Sequence, residues 1–161
     1  MTEAAIRLAT IADAPAIGTL VTALAREFAL PEQLPETRPK LLAWLSADAV
    51  AGRIALGHRH HVAERDGGIV GVVGTRDDRH LHLLFVDTRF QRRGIARGLW
   101  RVAHDACAQA GWPGRITVNA SGHAVPAYLR LGFVQLGPAQ TREGILITPM
   151  AFDPSPARRS E

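Results

Sequence analysis

Leu83-Leu84-Phe85-Val86-Asp87-Thr88-Arg89-Phe90-Gln91-Arg92-Arg93-Gly94-Ile95-Ala96-Arg97-Gly98-Leu99-Trp100 reads as an apolar strand, a short polar turn, a glycine and the start of a helix. The turn carries three arginines, Arg89, Arg92 and Arg93. A helix that begins there aims its unpaired N–H groups and the positive end of its dipole at one spot. Such a spot binds anions, phosphate above all. Gly94 has no side chain to hold a guest away from the backbone.

On the C-terminal side, Ile95, Leu99, Val102, Ala103, Ala106, Cys107 and Ala110 share one side of the helix, with Arg97, Arg101 and Asp105 towards the other. Gly111 ends it. A strand over 115–119 follows, so strand, helix and strand form a parallel crossover with the strand over 80–86. Next come a short helix over 123–131 with Pro126 in its first turn, then strands over 133–136 and 141–150. A polar tail from Asp153 to Glu161 reads as disordered.

On the N-terminal side, 6–9 alternate as a strand. Asp13 is a plausible N-cap, and Ile17, Leu20, Val21, Leu24 and Phe28 make 14–29 an amphipathic helix. Pro31, Pro35 and Pro39 interrupt the chain before a second helix over 38–50. From His60 the period becomes two: strands over 61–64, 69–74 and 80–86, joined by Asp66-Gly67-Gly68 and Asp77-Asp78, must be antiparallel.

The 161 residues, 47% hydrophobic, suit a single domain over 1–152 with one core. No apolar run is long enough to cross a bilayer, and the N-terminus lacks a basic-then-apolar leader. The one cysteine, Cys107, excludes an intrachain disulfide, falls on an apolar stripe and fits a cytoplasmic protein. The formal charge of +4 rests on scattered arginines, with Lys40 the only lysine. Only residues 89–101 cluster, which argues for a local phosphorylated small molecule rather than nucleic acid. His58, His60 and His61 lack metal-ligand spacing, so no metal is expected.

Gln91-Arg92-Arg93-Gly94-Ile95-Ala96 resembles the acetyl-CoA signature of the GNAT N-acetyltransferase superfamily, Gln/Arg-x-x-Gly-x-Gly/Ala. Ala96 stands where glycine is commonest. A second block is similar too: Asn119-Ala120-Ser121 ends a strand, and Ala124-Val125-Pro126-Ala127-Tyr128-Leu129-Arg130-Leu131-Gly132-Phe133 follows. The resemblance implies a mixed α/β (α+β) fold, with a mostly antiparallel sheet of about seven strands and about four helices. Strands four and five splay around the cofactor.

It further implies that acetyl-CoA lays its pyrophosphate on the backbone around Gln91, Arg92, Arg93, Gly94, Ile95, Ala96 and Arg97. The pantetheine arm runs along Leu84, Phe85 and Val86, with Asn119 and Ser121 bonding its amides; Ser121 reads equally well as a helix cap. Tyr128, the only tyrosine, is placed beside the sulfur as general acid. His80 and His82, two apart on a strand, leave one face, while Leu81, Leu83 and Phe85 leave the other. A histidine suits the task of taking an amine's proton, His82 ahead of His80. The run His80-Leu81-His82-x-Leu84-x-Val86 is similar to a strand of arylalkylamine N-acetyltransferases, where paired histidines are implicated in that step.

The expected activity is acetyl transfer from acetyl-CoA to a primary amine, small-molecule or peptide, in a ternary complex. A homodimer is left open, and the first third of the chain is expected to select the acceptor. Glu27, Glu32 and Glu36 are candidates to read the amine. The rival is a non-catalytic acyl-CoA-binding regulatory module.

Overall fold

A computed structural model describes residues 4–154. Among them are eight strands: β1 (Ala5–Leu8), β2 (Arg59–Arg65), β3 (Gly68–Arg76), β4 (His80–Val86), β5 (Ile116–Ala120), β6 (Val134–Gln135), β7 (Gln140–Arg142) and β8 (Ile145–Phe152). Five α-helices accompany them: α1 (Ala14–Leu24), α2 (Arg38–Trp44), α3 (Ala47–Ala55), α4 (Ile95–Gln109) and α5 (Val125–Leu131). The sheet order is β1-β2-β3-β4-β5-β8-β6, with β7 paired to β8.

Only β4 and β5 run parallel, through two residue pairs, His80↔Thr117 and Leu81↔Val118. Past them the strands part, and their separated ends line one cavity. Side chains pack on both faces of the sheet. Leu99 of α4 packs in a cluster with Val73, Leu81, Ile116, Phe133 and Met150. On the opposite face Ile17 and Val21 of α1 and Val50 of α3 cover Val62, Val72 and Leu83.

Four local expectations need correction. Asp13 does not cap with its side chain; its carboxylate accepts the Thr10 N–H at 2.8 Å and pairs with Arg7 at 2.8 Å. The helix expected over 38–50 is two helices, because the Ser46 hydroxyl accepts the Ala49 N–H at 3.2 Å and starts α3 afresh. The strand expected over 141–150 is split into β7 and β8 by a turn at Glu143 and Gly144, both at positive φ (50° and 84°). Asp153 is not loose, since Arg115 donates to its carboxylate at 2.7 and 3.1 Å; residues 155–161 lie outside the described residues.

The fourth strand departs further. Leu81 packs with α4, but Leu83 and Phe85 pack on the α1 side. Gly74 pairs with Leu83 and Thr75 with Leu81, which leaves His82 as the extra residue of a β-bulge. A bulge shifts the alternation by one, so Leu83 and Phe85 no longer oppose His82 as a regular strand would require.

Candidate active site

A cavity of about 870 Å³ begins at the N-terminus of α4, passes through the gap between β4 and β5 and ends against α1 and α2. At its α4 end Gly94 has φ +81°, a left-handed turn that glycine adopts without strain. Gly98 N–H donates to Gly94 O at 2.9 Å, the first bond of the helix, so the N–H groups of Ile95, Ala96 and Arg97 precede the ladder. Ile95, Ala96 and Arg97 line the cavity together with Arg92 and Arg130. This end suits a phosphate group in charge and donor geometry.

The opening turn divides its duties. Gln91 spends its amide on Val86 O, donating at 2.9 Å, and so ties the turn to β4. Arg89 pairs with Asp87 at 3.0 Å and Arg93 stacks over Phe90 at 5.5 Å; neither lines the cavity. Arg130, not singled out from the sequence, takes a place beside Arg97, whose guanidinium donates to Arg130 O at 3.2 Å.

Midway, Leu84, Phe85 and Val86 face Asn119, Ala120 and Ser121 across the gap. Ser121 Oγ accepts the Ala124 N–H at 3.3 Å as a helix cap, with its own O–H left to donate. Tyr128 is buried at the cavity wall against Phe133, ring centroids 5.2 Å apart. Burial pushes its phenol well above the ordinary range, so it holds its proton at any physiological pH.

His80 and His82 both reach the cavity. His80 Nδ1 lies 2.8 Å from the Thr117 hydroxyl. His82 Nε2 lies 3.1 Å from His60 Nε2, and the two rings meet at 64°. His60 Nδ1 in turn lies 3.1 Å from His58 O. Burial is the largest cause of depressed basicity in all three imidazoles: His60 and His80 fall from 6.5 to about 4 and His82 to about 2. For His82 the neighbouring charges of His60, Arg53, His58 and His80 act in the same direction. All three are neutral at pH 7.

The far wall comes from α1, the wider π turn after it (Ala25–Ala29) and α2. Phe28 stacks on His123 at 4.2 Å, and Trp44 meets His82 edge-on at 5.9 Å. Gln33, between Pro31 and Pro35, donates to Leu146 O at 3.0 Å and accepts the Leu146 N–H at 2.8 Å. Its buried amide thus docks the proline-rich segment on β8. Of the glutamates expected to read an amine, Glu32 instead accepts the Gly122 N–H at 3.0 Å, and Glu27 and Glu36 are exposed off the cavity. None of the described residues lining the cavity is acidic.

A family model described as an acetyltransferase (GNAT) domain matches residues 31–154. The chain belongs to the GNAT acetyltransferase family. As a GNAT domain it is an acyltransferase. No curated protein matches it in sequence. Solved GNAT structures share its fold. A GCN5-related N-acetyltransferase from Rhodopseudomonas palustris superposes with TM-score 0.78 at 19% identity, over 95% of this chain and 97% of that one. PaiA N-acetyltransferase from Thermoplasma acidophilum, solved with coenzyme A, gives 0.75 at 13% identity over 94% and 99%. YncA from Salmonella typhimurium, solved with acetyl-CoA, gives 0.67 at 19% over 99% of each.

In this GNAT domain three features escaped the sequence: Arg130, Gln33 and the approach of His60 to His82. Arg130 follows Tyr128 by two in the same helix, so its place was implied by an element already recognised. The approach of His60 to His82 depends on strand register, and Gln33 on the docking of a loop against β8. No group of three or more His, Cys, Asp or Glu among the described residues is arranged to hold a metal ion, and none of the described helices is long and apolar enough to cross a membrane.

Proposed function

We propose that the protein is an N-acetyltransferase that moves an acetyl group from acetyl-CoA to a primary amine by direct attack within a ternary complex. The observation that carries it is the continuity of one cavity from the α4 N-terminus to Tyr128 and His82. When bound, acetyl-CoA supplies an acyl group activated as a thioester. The chain's own part is binding and proton movement. The N–H groups of Ile95, Ala96 and Arg97, with Arg92, Arg97 and Arg130, hold the pyrophosphate. The open edge of β4 at Leu84 and Phe85 offers a backbone N–H to the developing oxyanion. Tyr128 keeps its proton for the departing sulfur, and His82, neutral at pH 7, accepts the proton that the amine nitrogen loses.

The wall of Leu24, Phe28, Leu41 and Trp44, in a cavity with no acidic residue among its described lining, favours an acceptor whose amine sits on an apolar body. An alkyl amine has a pKa of roughly 10, so it is its small neutral fraction that attacks. The test is release of free CoA thiol from acetyl-CoA with a panel of amines: aralkyl and alkyl amines, a polyamine and a lysine peptide. Turnover highest with the apolar amines is expected. Tight CoA binding with no thiol release from any amine would replace the enzyme with a non-catalytic acyl-CoA-binding module.

A further inference from the structure

We propose that His60 is a positioning residue for acetyl transfer: it receives the His82 Nε2–H across β3 and thereby makes Nδ1 the nitrogen of His82 that takes the amine's proton. This rests on the reading of His82 as the base.

The protons follow from the partners. A carbonyl only accepts, so the 3.1 Å approach of His60 Nδ1 to His58 O puts the His60 proton on Nδ1. Neutral His60 then has a lone pair on Nε2. His82 Nε2, 3.1 Å away, must donate to it. Neutral His82 is left with its lone pair on Nδ1, and that nitrogen is buried without a protein partner on a side chain that lines the cavity. Without His60 either tautomer of His82 is allowed, and one of them turns an N–H towards the amine.

The contact has a built path. His60 on β2 and His82 on β4 stand two strand spacings apart, roughly 9–10 Å, with β3 between them. Gly74 of β3 pairs directly with His60, and a Cβ there would lie 2.8 Å from His82 Nε2 and 2.9 Å from His60 Nε2. Glycine is thus the residue over which two imidazoles can meet. The bulge that leaves His82 unpaired supplies the other half of the arrangement. Around the pair stand His58, His80 and Arg53, all basic, so no carboxylate competes for the His82 proton.

In the step itself the amine nitrogen bonds to the acyl carbon and the carbon–sulfur bond breaks. The proton lost by nitrogen goes to His82 Nδ1, while Tyr128 protonates the sulfur. Nε2–H of His82 remains donated to His60, whose lone pair steadies the imidazolium. Proton return from His82 to the tyrosinate through solvent restores both groups.

The experiment uses the full chain labelled with ¹⁵N-histidine, together with steady-state kinetics. In the wild type His82 is expected as the Nε2–H tautomer. His60→Met should mix the tautomers and lower kcat roughly 10- to 100-fold, as loss of the partner that orients a metal-bound histidine does, with KM for acetyl-CoA unchanged. His60→Gln, whose Oε1 accepts where Nε2 did, should recover part of kcat. Gly74→Ala should mimic His60→Met with every imidazole retained, and so serves if His60→Met fails to fold. An Nδ1–H tautomer of His82 in the wild type overturns the proposal. So does an unchanged kcat in His60→Met or Gly74→Ala when His82→Gln is inactive. Full turnover in His82→Gln instead removes the base, and with it the need for a positioning residue, whatever tautomer is observed.

Discussion

The phosphate end of the cavity comes largely from one contiguous run, residues 91–97, with Arg130 added from α5, whereas the acceptor end is gathered from α1, the π turn, α2, β4 and the start of β8. In the function proposed, the first end offers backbone N–H groups and permanent arginine charge. The second offers an apolar wall, from buried Leu24 to exposed Trp44, and imidazoles held neutral. A local motif tolerates changes elsewhere, because a helix start and a glycine turn are fixed by their own residues. An assembled wall depends on every element that delivers a side chain to it. On the proposed function, donor recognition and acceptor recognition should fail separately when residues are changed.

The strongest test of that separation lies where the two ends meet. Tyr128→Phe keeps the shape of the wall and removes the phenolic proton. Turnover should fall by roughly 10²- to 10⁴-fold, the usual worth of a general acid. CoA affinity by calorimetry should stay within a factor of two to three (about 0.6 kcal/mol). Unaltered turnover would remove the acid from the middle of the cavity.

Next in size is Gly94→Val. A β-branched residue forced to φ +81° costs about 1–3 kcal/mol, which weakens CoA binding roughly 5- to 150-fold if the turn relaxes. The acceptor KM should not move. A shift in both would show that the two ends are coupled through the β4–β5 gap.

Trp44→Ala strips apolar surface from the other end. Loss of about 1–2 kcal/mol of contact should raise the acceptor KM roughly 5- to 30-fold while KM for acetyl-CoA stays constant. An unchanged acceptor KM would move the acceptor away from α2.

A last effect, separate from turnover and binding, is on stability. The folded chain keeps His60 and His80 neutral to about pH 4 and His82 to about 2, whereas an unfolded histidine titrates near 6.5. Below pH 6.5 the unfolded state binds more protons, so stability present above that pH drains as pH falls towards 4. The melting temperature should drop between pH 7.5 and 5, and His60→Met should lessen the drop. A flat profile would place these imidazoles in water. The arginine end adds nothing to this dependence, since guanidinium stays charged throughout.

Much of the frame was legible. Period-two and period-three-to-four patterns located the three-strand meander, α1 and α4, and the Gly111 and Gly132 stops, because a half-buried element must repeat its apolar side. The breaks were less so. Ser46 interrupts an apolar pattern that runs on across it, and one capping hydroxyl outweighs a continued stripe; the Glu143-Gly144 turn divides polar β7 from apolar β8. In the site, Gln91, Gly94 and Tyr128 were readable from short runs. The division of Arg89 and Arg93 from Arg92 was not, since ion pairing with Asp87 and stacking on Phe90 sort them in space.

By itself, then, the sequence determined the pieces whose geometry is set by neighbours within a turn: the helix start after Gly94, the helix that carries Tyr128, the antiparallel hairpins. Only the tertiary structure decided which distant pieces touch. His82 meets His60 because a one-residue bulge re-aims β4 and because Gly74 leaves the space between. Gln33 reaches Leu146, 113 positions away, and Phe28 stacks on His123. Strand register carries the histidine contact, where a slip of one residue would send a side chain to the opposite face, and the packing of the 25–33 segment and the 122–124 turn against the sheet carries the other two.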